Sequence, residues 1–179
     1  MVLAQNHFGR KLESDREDAG RGLWLRGDGK GGFKTMTSTE SGMRWDGEQA
    51  GLAAGDWDRD GRLDLAVAQT GDEVVLLRNR RGAAGLRVRL EDGPGNPWGI
   101  GASVRWTDTL GMSPRHAVRV GHGSGGQDAA ALILAMPADG GSMEVTWPGG
   151  ERTMALIEKG TREIHLRRPP GKKESGGPK

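Results

Sequence analysis

Leu52-Ala53-Ala54-Gly55-Asp56-Trp57-Asp58-Arg59-Asp60-Gly61-Arg62-Leu63-Asp64-Leu65-Ala66-Val67 sets four aspartates within one short loop, between two runs of apolar residues. Carboxylates crowded into one turn repel each other unless a cation sits among them. Asp56, Asp58, Asp60 and Asp64 stand at loop positions where a calcium ion takes hard oxygen donors, and the main-chain carbonyl of Arg62 can supply another. Gly61 provides the sharp turn that folds such a loop round an ion. The metal set read from the sequence is therefore Asp56, Asp58, Asp60, Arg62 and Asp64, with Ca²⁺ as the cofactor. An EF-hand does not fit. Its twelfth position needs a bidentate Glu where this chain has Val67, and its loop must enter a helix. Here Leu63-Asp64-Leu65-Ala66-Val67 has the alternation of a strand. A glycosidase pair fits less well still, because its two carboxyls must flank a sugar rather than crowd one turn.

Working outward, Gly51-Leu52-Ala53-Ala54 and Leu63–Ala68 read as strands on either side of the loop, and Val74-Val75-Leu76-Leu77 as a further short buried strand. Upstream, Asp28-Gly29-Lys30-Gly31-Gly32 separates Leu23-Trp24-Leu25 from Phe33, which predicts a hairpin turn with positive φ. Two registers of self-similarity link these pieces. Leu23-Trp24-Leu25-Arg26-Gly27 is similar to Val75-Leu76-Leu77-Arg78-Asn79, and Met1-Val2-Leu3-Ala4-Gln5 to Leu65-Ala66-Val67-Ala68-Gln69. The difference between the two offsets marks a polar, charged insertion at residues 6–22. Repeats of this length made from short strands suggest propeller blades. Met1 aligns just past the last aspartate of a loop, so the chain is expected to begin inside a blade, with further blades upstream.

The pattern changes near residues 79–85. Leu86–Leu90, Ala102–Trp106, Ala117–Val120, Met143–Trp147 and Ile164–Leu166 each alternate apolar with polar side chains, the mark of an antiparallel sheet with one wet face. The expected organisation is a propeller fragment at 1–80, a small β domain at 81–168 and a disordered basic tail at 169–179. The fold class is all-β, partial propeller blades with a small antiparallel domain. The 32 glycines, spread without a fixed period, suit many tight turns.

Charge excludes less than it first suggests. The net charge is +2, yet residues 167–179 contribute five basic side chains against one Glu. Without them the chain is slightly acidic, so no nucleic-acid surface is implied. The absence of cysteine removes disulfides and thiolate chemistry. No apolar run is long enough to span a bilayer, and the N-terminus has no signal-peptide pattern.

Other motifs have plainer readings. Gly121-His122-Gly123-Ser124-Gly125-Gly126 satisfies the dinucleotide fingerprint and precedes an Ala/Leu run that could be helical. Too little chain follows it for a complete α/β unit, so a glycine-rich turn is preferred. Arg26-Gly27-Asp28 is explained as turn residues. His7, His116, His122 and His165 lack metal-ligand spacing. The six tryptophans read as packing residues rather than a carbohydrate platform.

The stretch Leu52–Val67 resembles the FG-GAP/VCBS repeat of integrin-type β-propellers, and Leu23–Phe33 resembles the outer hairpin of the same repeat. The Phe-Gly and Gly-Ala-Pro signatures are absent between residues 33 and 56. The second unit resembles the ASPIC/UnbV domain, on Leu86–Leu90, Gly99–Val104, Val118–Gln127 and Val145–Gly150. The aromatic and His-Phe-Gly elements usual there are replaced by Ala129–Leu134. These resemblances imply the C-terminal part of a longer exported protein. They imply a non-enzymatic, calcium-binding module, extracellular or periplasmic, that binds a protein or carbohydrate ligand. The alternative is an enzyme, either glycan-active or nucleotide-binding through residues 121–126.

Overall fold

A computed structural model describes residues 1–4, 22–45, 47–108, 111–119, 121, 126–135 and 139–170. Residues 6–21 of the 6–22 insertion, His7 among them, together with His122, Ser124 and the tail from residue 171, lie outside the described residues. Two compact units divide the chain. The first comprises Met1–Gly82 with Gly121–Ala129, the second Ala83–Val120 with Ala130–Lys179.

In the first unit, β1 (Val2–Leu3), β2 (Leu23–Gly27) and β3 (Phe33–Met36) form one three-stranded sheet in that order. After a four-residue helix, α1 (Ser38–Ser41), come β4 (Gln49–Gly55), β5 (Asp64–Gln69) and β6 (Val75–Leu77), again in sequence order. Every pairing in both sheets is antiparallel. The β2–β3 turn follows the expected chemistry. Asp28 Oδ1 accepts hydrogen bonds from the amides of Lys30 and Gly32 at 2.7 and 2.9 Å, and Gly29 and Gly31 hold positive φ. The Arg-Gly-Asp tripeptide is thus the end of a strand and the anchor of a turn. The helix was not anticipated, although Thr37 and Glu40 carry its signal. They form a capping box, and Gly42 closes the far end in the left-handed region.

The internal repeat is realised residue by residue. Val2 faces Trp24 and Leu3 faces Leu23 in the β1–β2 ladder. Shifting each partner by its own sequence offset gives Ala66 facing Leu76 and Val67 facing Val75, which is the β5–β6 register. The two insertion lengths differ, but the pairing they bracket is the same. One expectation is corrected here. Val74–Leu77 is not a buried strand: β6 is an edge strand, with Val74 60% and Leu76 58% exposed.

The second unit contains β7 (Leu86–Glu91), β8 (Ser103–Asp108), β9 (Gly111–Met112), β10 (His116–Ala117), β11 (Ala131–Leu134), β12 (Gly141–Thr146), β13 (Arg152–Ile157) and β14 (Glu163–Arg167). One sheet runs β10-β8-β12-β13, with β9 also on β8; the other runs β11-β7-β14. Alternation decides the core. Leu86, Val88 and Leu90 from β7 meet Val104, Met143, Val145 and Ile157 of the other sheet, and Trp147 joins them. Trp147 satisfies its indole N–H on Thr153 Oγ1 at 2.8 Å. The expected antiparallel pattern holds except for β14, which pairs with β7 in parallel. The Ala/Leu run that could have been helical is strand β11, because Leu134 reaches the core and the segment pairs with β7. Tryptophans divide: Trp45 and Trp147 are buried, whereas Trp57 and Trp98 are about half exposed. The fold is all-β apart from α1 among the described residues, where no helix is long and apolar enough to cross a membrane.

Candidate metal centre

The aspartate loop is the connection of the β4–β5 hairpin, whose last facing pair is Gly55 and Asp64. The first and last aspartates are therefore brought together by strand pairing, and the intervening residues need only curl back between them. Two residues take positive φ to do so, Arg59 at 60° and Gly61 at 81°.

Backbone amides then orient the carboxylates. Asp56 accepts from Asp60 N on Oδ1 at 3.0 Å and from Gly61 N on Oδ2 at 3.1 Å. Asp58 Oδ1 accepts from Asp60 N at 3.2 Å. Asp64 accepts from Trp57 N and from Asn79 N, the latter at 2.8 Å, so the second residue past β6 also fixes the site. Asn79 in turn caps its own turn by accepting from Gly82 N at 2.9 Å.

Ligand oxygens of Asp56, Asp58 and Asp64 all lie within 4.8 Å of one another. Asp64 is 1% exposed and Asp56 7%. Buried carboxylates are costly unless paired with positive charge, and the donors that orient Asp64 are neutral amides. The donor set, all carboxylate oxygens on a tight turn, suits a hard divalent cation. A group of this kind could hold a metal ion.

The remaining two sequence-selected residues do something else with their side chains. Asp60 Oδ2 lies 2.8 Å from Arg62 Nη1 and 3.6 Å from Arg78 Nη2. Desolvation alone would raise the pKa of Asp60. The hydrogen bonds from the Arg62 side chain and amide, with the charges of Arg62 and Arg78, outweigh it and hold the carboxyl below its ordinary range. Arg62 also donates from Nε to the Gly82 carbonyl at 2.6 Å. Arg78 pairs with Asp58 as well, at 2.5 Å. Sequence reading missed Arg78 and Asn79 as parts of the loop's frame. Their signal was present in the repeat, where they follow β6 as Arg26 and Gly27 follow the start of β2.

Of the other candidates, the described histidines are dispersed. His116 stacks on Trp106 with ring centroids 5.1 Å apart, and His165 lies 3.2 Å from a Glu91 oxygen. Of the glycine-rich 121–126 segment only Gly121 and Gly126 are among the described residues. Gly121 bridges to Gln127.

Residues 14–67 match the family model of the FG-GAP-like repeat. The matched span ends inside β5 and contains the whole aspartate loop. No curated protein matches the chain.

Proposed function

We propose that the loop from Asp56 to Asp64 binds one calcium ion and that the ion's role is structural, within a non-enzymatic interaction module working outside the cytoplasm. The observation that carries this reading is the convergence of Asp56, Asp58 and Asp64 at the mouth of a β-hairpin. The main-chain carbonyl of Arg62 and, on rotation away from its arginines, Asp60 would complete an oxygen shell. The ion would neutralise carboxylates that the hairpin forces together. The amides of Asp60, Gly61 and Asn79 hold the Asp56 and Asp64 carboxylates in position for it.

The FG-GAP-like match supports an extracellular or periplasmic setting, and with it a protein or carbohydrate ligand bound by surface contact. For the second unit, the ASPIC/UnbV reading rests on the sequence resemblance of Leu86–Leu90 and Val145–Gly150. Extracellular calcium modules bind at roughly 10⁻⁴–10⁻³ M, so millimolar calcium would add about 1 kcal/mol of linkage stabilisation. Isothermal calorimetry and a melting scan with and without Ca²⁺ test the reading. A heat of binding with one site, and an upward shift lost in Asp64→Asn, are expected. No heat and no shift would overturn it.

A further inference from the structure

In the β4-β5-β6 sheet, β4 is an edge strand whose outer side is covered by the chain itself. Gly126–Ala129 lies along it, in the same direction. Ala54 donates its amide to Asp128 Oδ1 at 2.8 Å, and Ala129 N donates to the Ala54 carbonyl at 2.9 Å. Ala54 thus has both its peptide groups satisfied on the side away from β5. The segment is not a regular strand, and a side-chain carboxylate stands where a neighbouring strand would place a carbonyl. Such an edge would otherwise present unpaired donors and acceptors to any other extended chain.

The approach is closer than a side chain permits. A Cβ at Gly126 would overlap the Leu52 carbonyl, although the φ of Gly126 is one that any residue adopts. Space, not backbone freedom, demands glycine there. At the other end, a Cβ on Gly55 would come within 3.2 Å of the Ala129 methyl. Gln127 and Ala129 also share the wall of a hollow of about 280 Å³ with Asp56, Trp57 and Asp64. The last glycine of the apparent dinucleotide fingerprint is thereby accounted for by strand contact.

We infer that Gly126–Ala129 is an internal clasp that closes the β4 edge and fixes the end of β4 from which Asp56 projects, with Asp128 as a positioning residue for the aspartate loop. Asp56 follows Ala54 by two residues, so the carboxylate of Asp128 and the first loop carboxylate are joined through one short, doubly hydrogen-bonded piece of backbone. Loss of the clasp frees that piece to move, and the cation then has to order it on binding. The clasp stands on the geometry alone; its effect on the loop rests on the calcium reading above.

The test compares the full chain with Asp128→Ala, Asp128→Asn and Gly126→Val. Exchange of the Ala54 amide, followed by NMR without calcium, reads the clasp directly. Asp128→Ala and Gly126→Val are expected to speed it about tenfold, the scale of one lost charge-assisted hydrogen bond. Asp128→Asn, which retains an acceptor oxygen, should keep most of the protection. Calorimetry with Ca²⁺ reads the coupling, where Asp128→Ala should weaken binding about fivefold. Unchanged Ala54 exchange in Asp128→Ala overturns the clasp. Exchange that quickens while calcium affinity stays at the wild-type value overturns the positioning role. Absence of calcium binding in the wild type overturns the functional reading instead, and leaves the Ala54 exchange to decide the clasp.

Discussion

At the scale of single residues, the loop contains one position at odds with its side chain. Arg59 sits at φ 60°, in the left-handed region, next but one to Gly61 at 81°. An L-residue other than glycine pays roughly 1–2 kcal/mol there, and no aspartate or asparagine chemistry offsets it at Arg59. Arg59→Gly is therefore expected to be neutral or stabilising by up to about 1 kcal/mol, the glycine's larger unfolded-state entropy taking back part of the relief. Gly61→Ala should cost about 1 kcal/mol or more. Urea denaturation of the two variants checks the pair; a marked loss in Arg59→Gly would show that the Arg59 side chain contributes more than its backbone costs. The loop's carboxylates were legible in the sequence because oxygen spacing is written there directly. The division of labour among them was not. Asp60 turns to Arg62 and Arg78, and Arg78 directly follows another strand, β6, so its arrival beside Asp58 follows only once the β5–β6 register is known.

At the scale of elements, periodicity carried most of the second unit. Leu86, Val88 and Leu90, or Met143 and Val145, point inward at every other residue, and both runs became strands, whereas of the Ala117–Val120 run only Ala117 lies in a strand among the described residues. Alternation cannot say which strand lies at an edge, and there the reading of Val74–Leu77 failed. Nor can it give direction, so the parallel β14–β7 pair was missed. A local cost lies on the short β10. His116 faces Val104 of β8 and stacks on Trp106, with its Nε2 buried and bonded to no partner. Burial lowers its pKa below the ordinary value of 6.5. The unfolded chain therefore binds the proton first as pH falls. Stability from this group is fully present above pH 6.5 and declines as pH drops from there through the lower folded pKa. An NMR titration should place the His116 midpoint under 6.5, and His116→Phe should flatten the fall in melting temperature over that window. A midpoint at or above 6.5 would contradict the burial argument.

At the scale of the whole molecule, the division into units was partly visible in the change of pattern near residues 79–85. What could not be read was the return of Gly121–Ala129 to the first unit. That segment is short, glycine-rich and without alternation, so nothing in its own composition names its neighbour; Leu52 and Ala54 do so only through backbone groups. The cores are correspondingly separate in kind. The second unit has a continuous buried cluster centred on Met143 and Val145, both 0% exposed. Among the described residues, the first is held by fewer buried hydrophobic side chains, Val67 and Trp45, together with the hydrogen bonds of its loop. Perturbations should therefore register locally. Met143→Ala is expected to cost about 2–5 kcal/mol and to raise hydrogen exchange across β8, β12 and β13. Calcium, by contrast, should slow exchange in β4, β5 and the 56–64 loop while leaving β12 and β13 at their calcium-free rates. Mass-spectrometric exchange on the full chain, with and without millimolar Ca²⁺, separates the two responses. Equal protection of β4 and β12 by the ion would mean that the cation acts on the chain as one cooperative body, and would remove the argument that its stabilisation is confined to the hairpin that carries the aspartates.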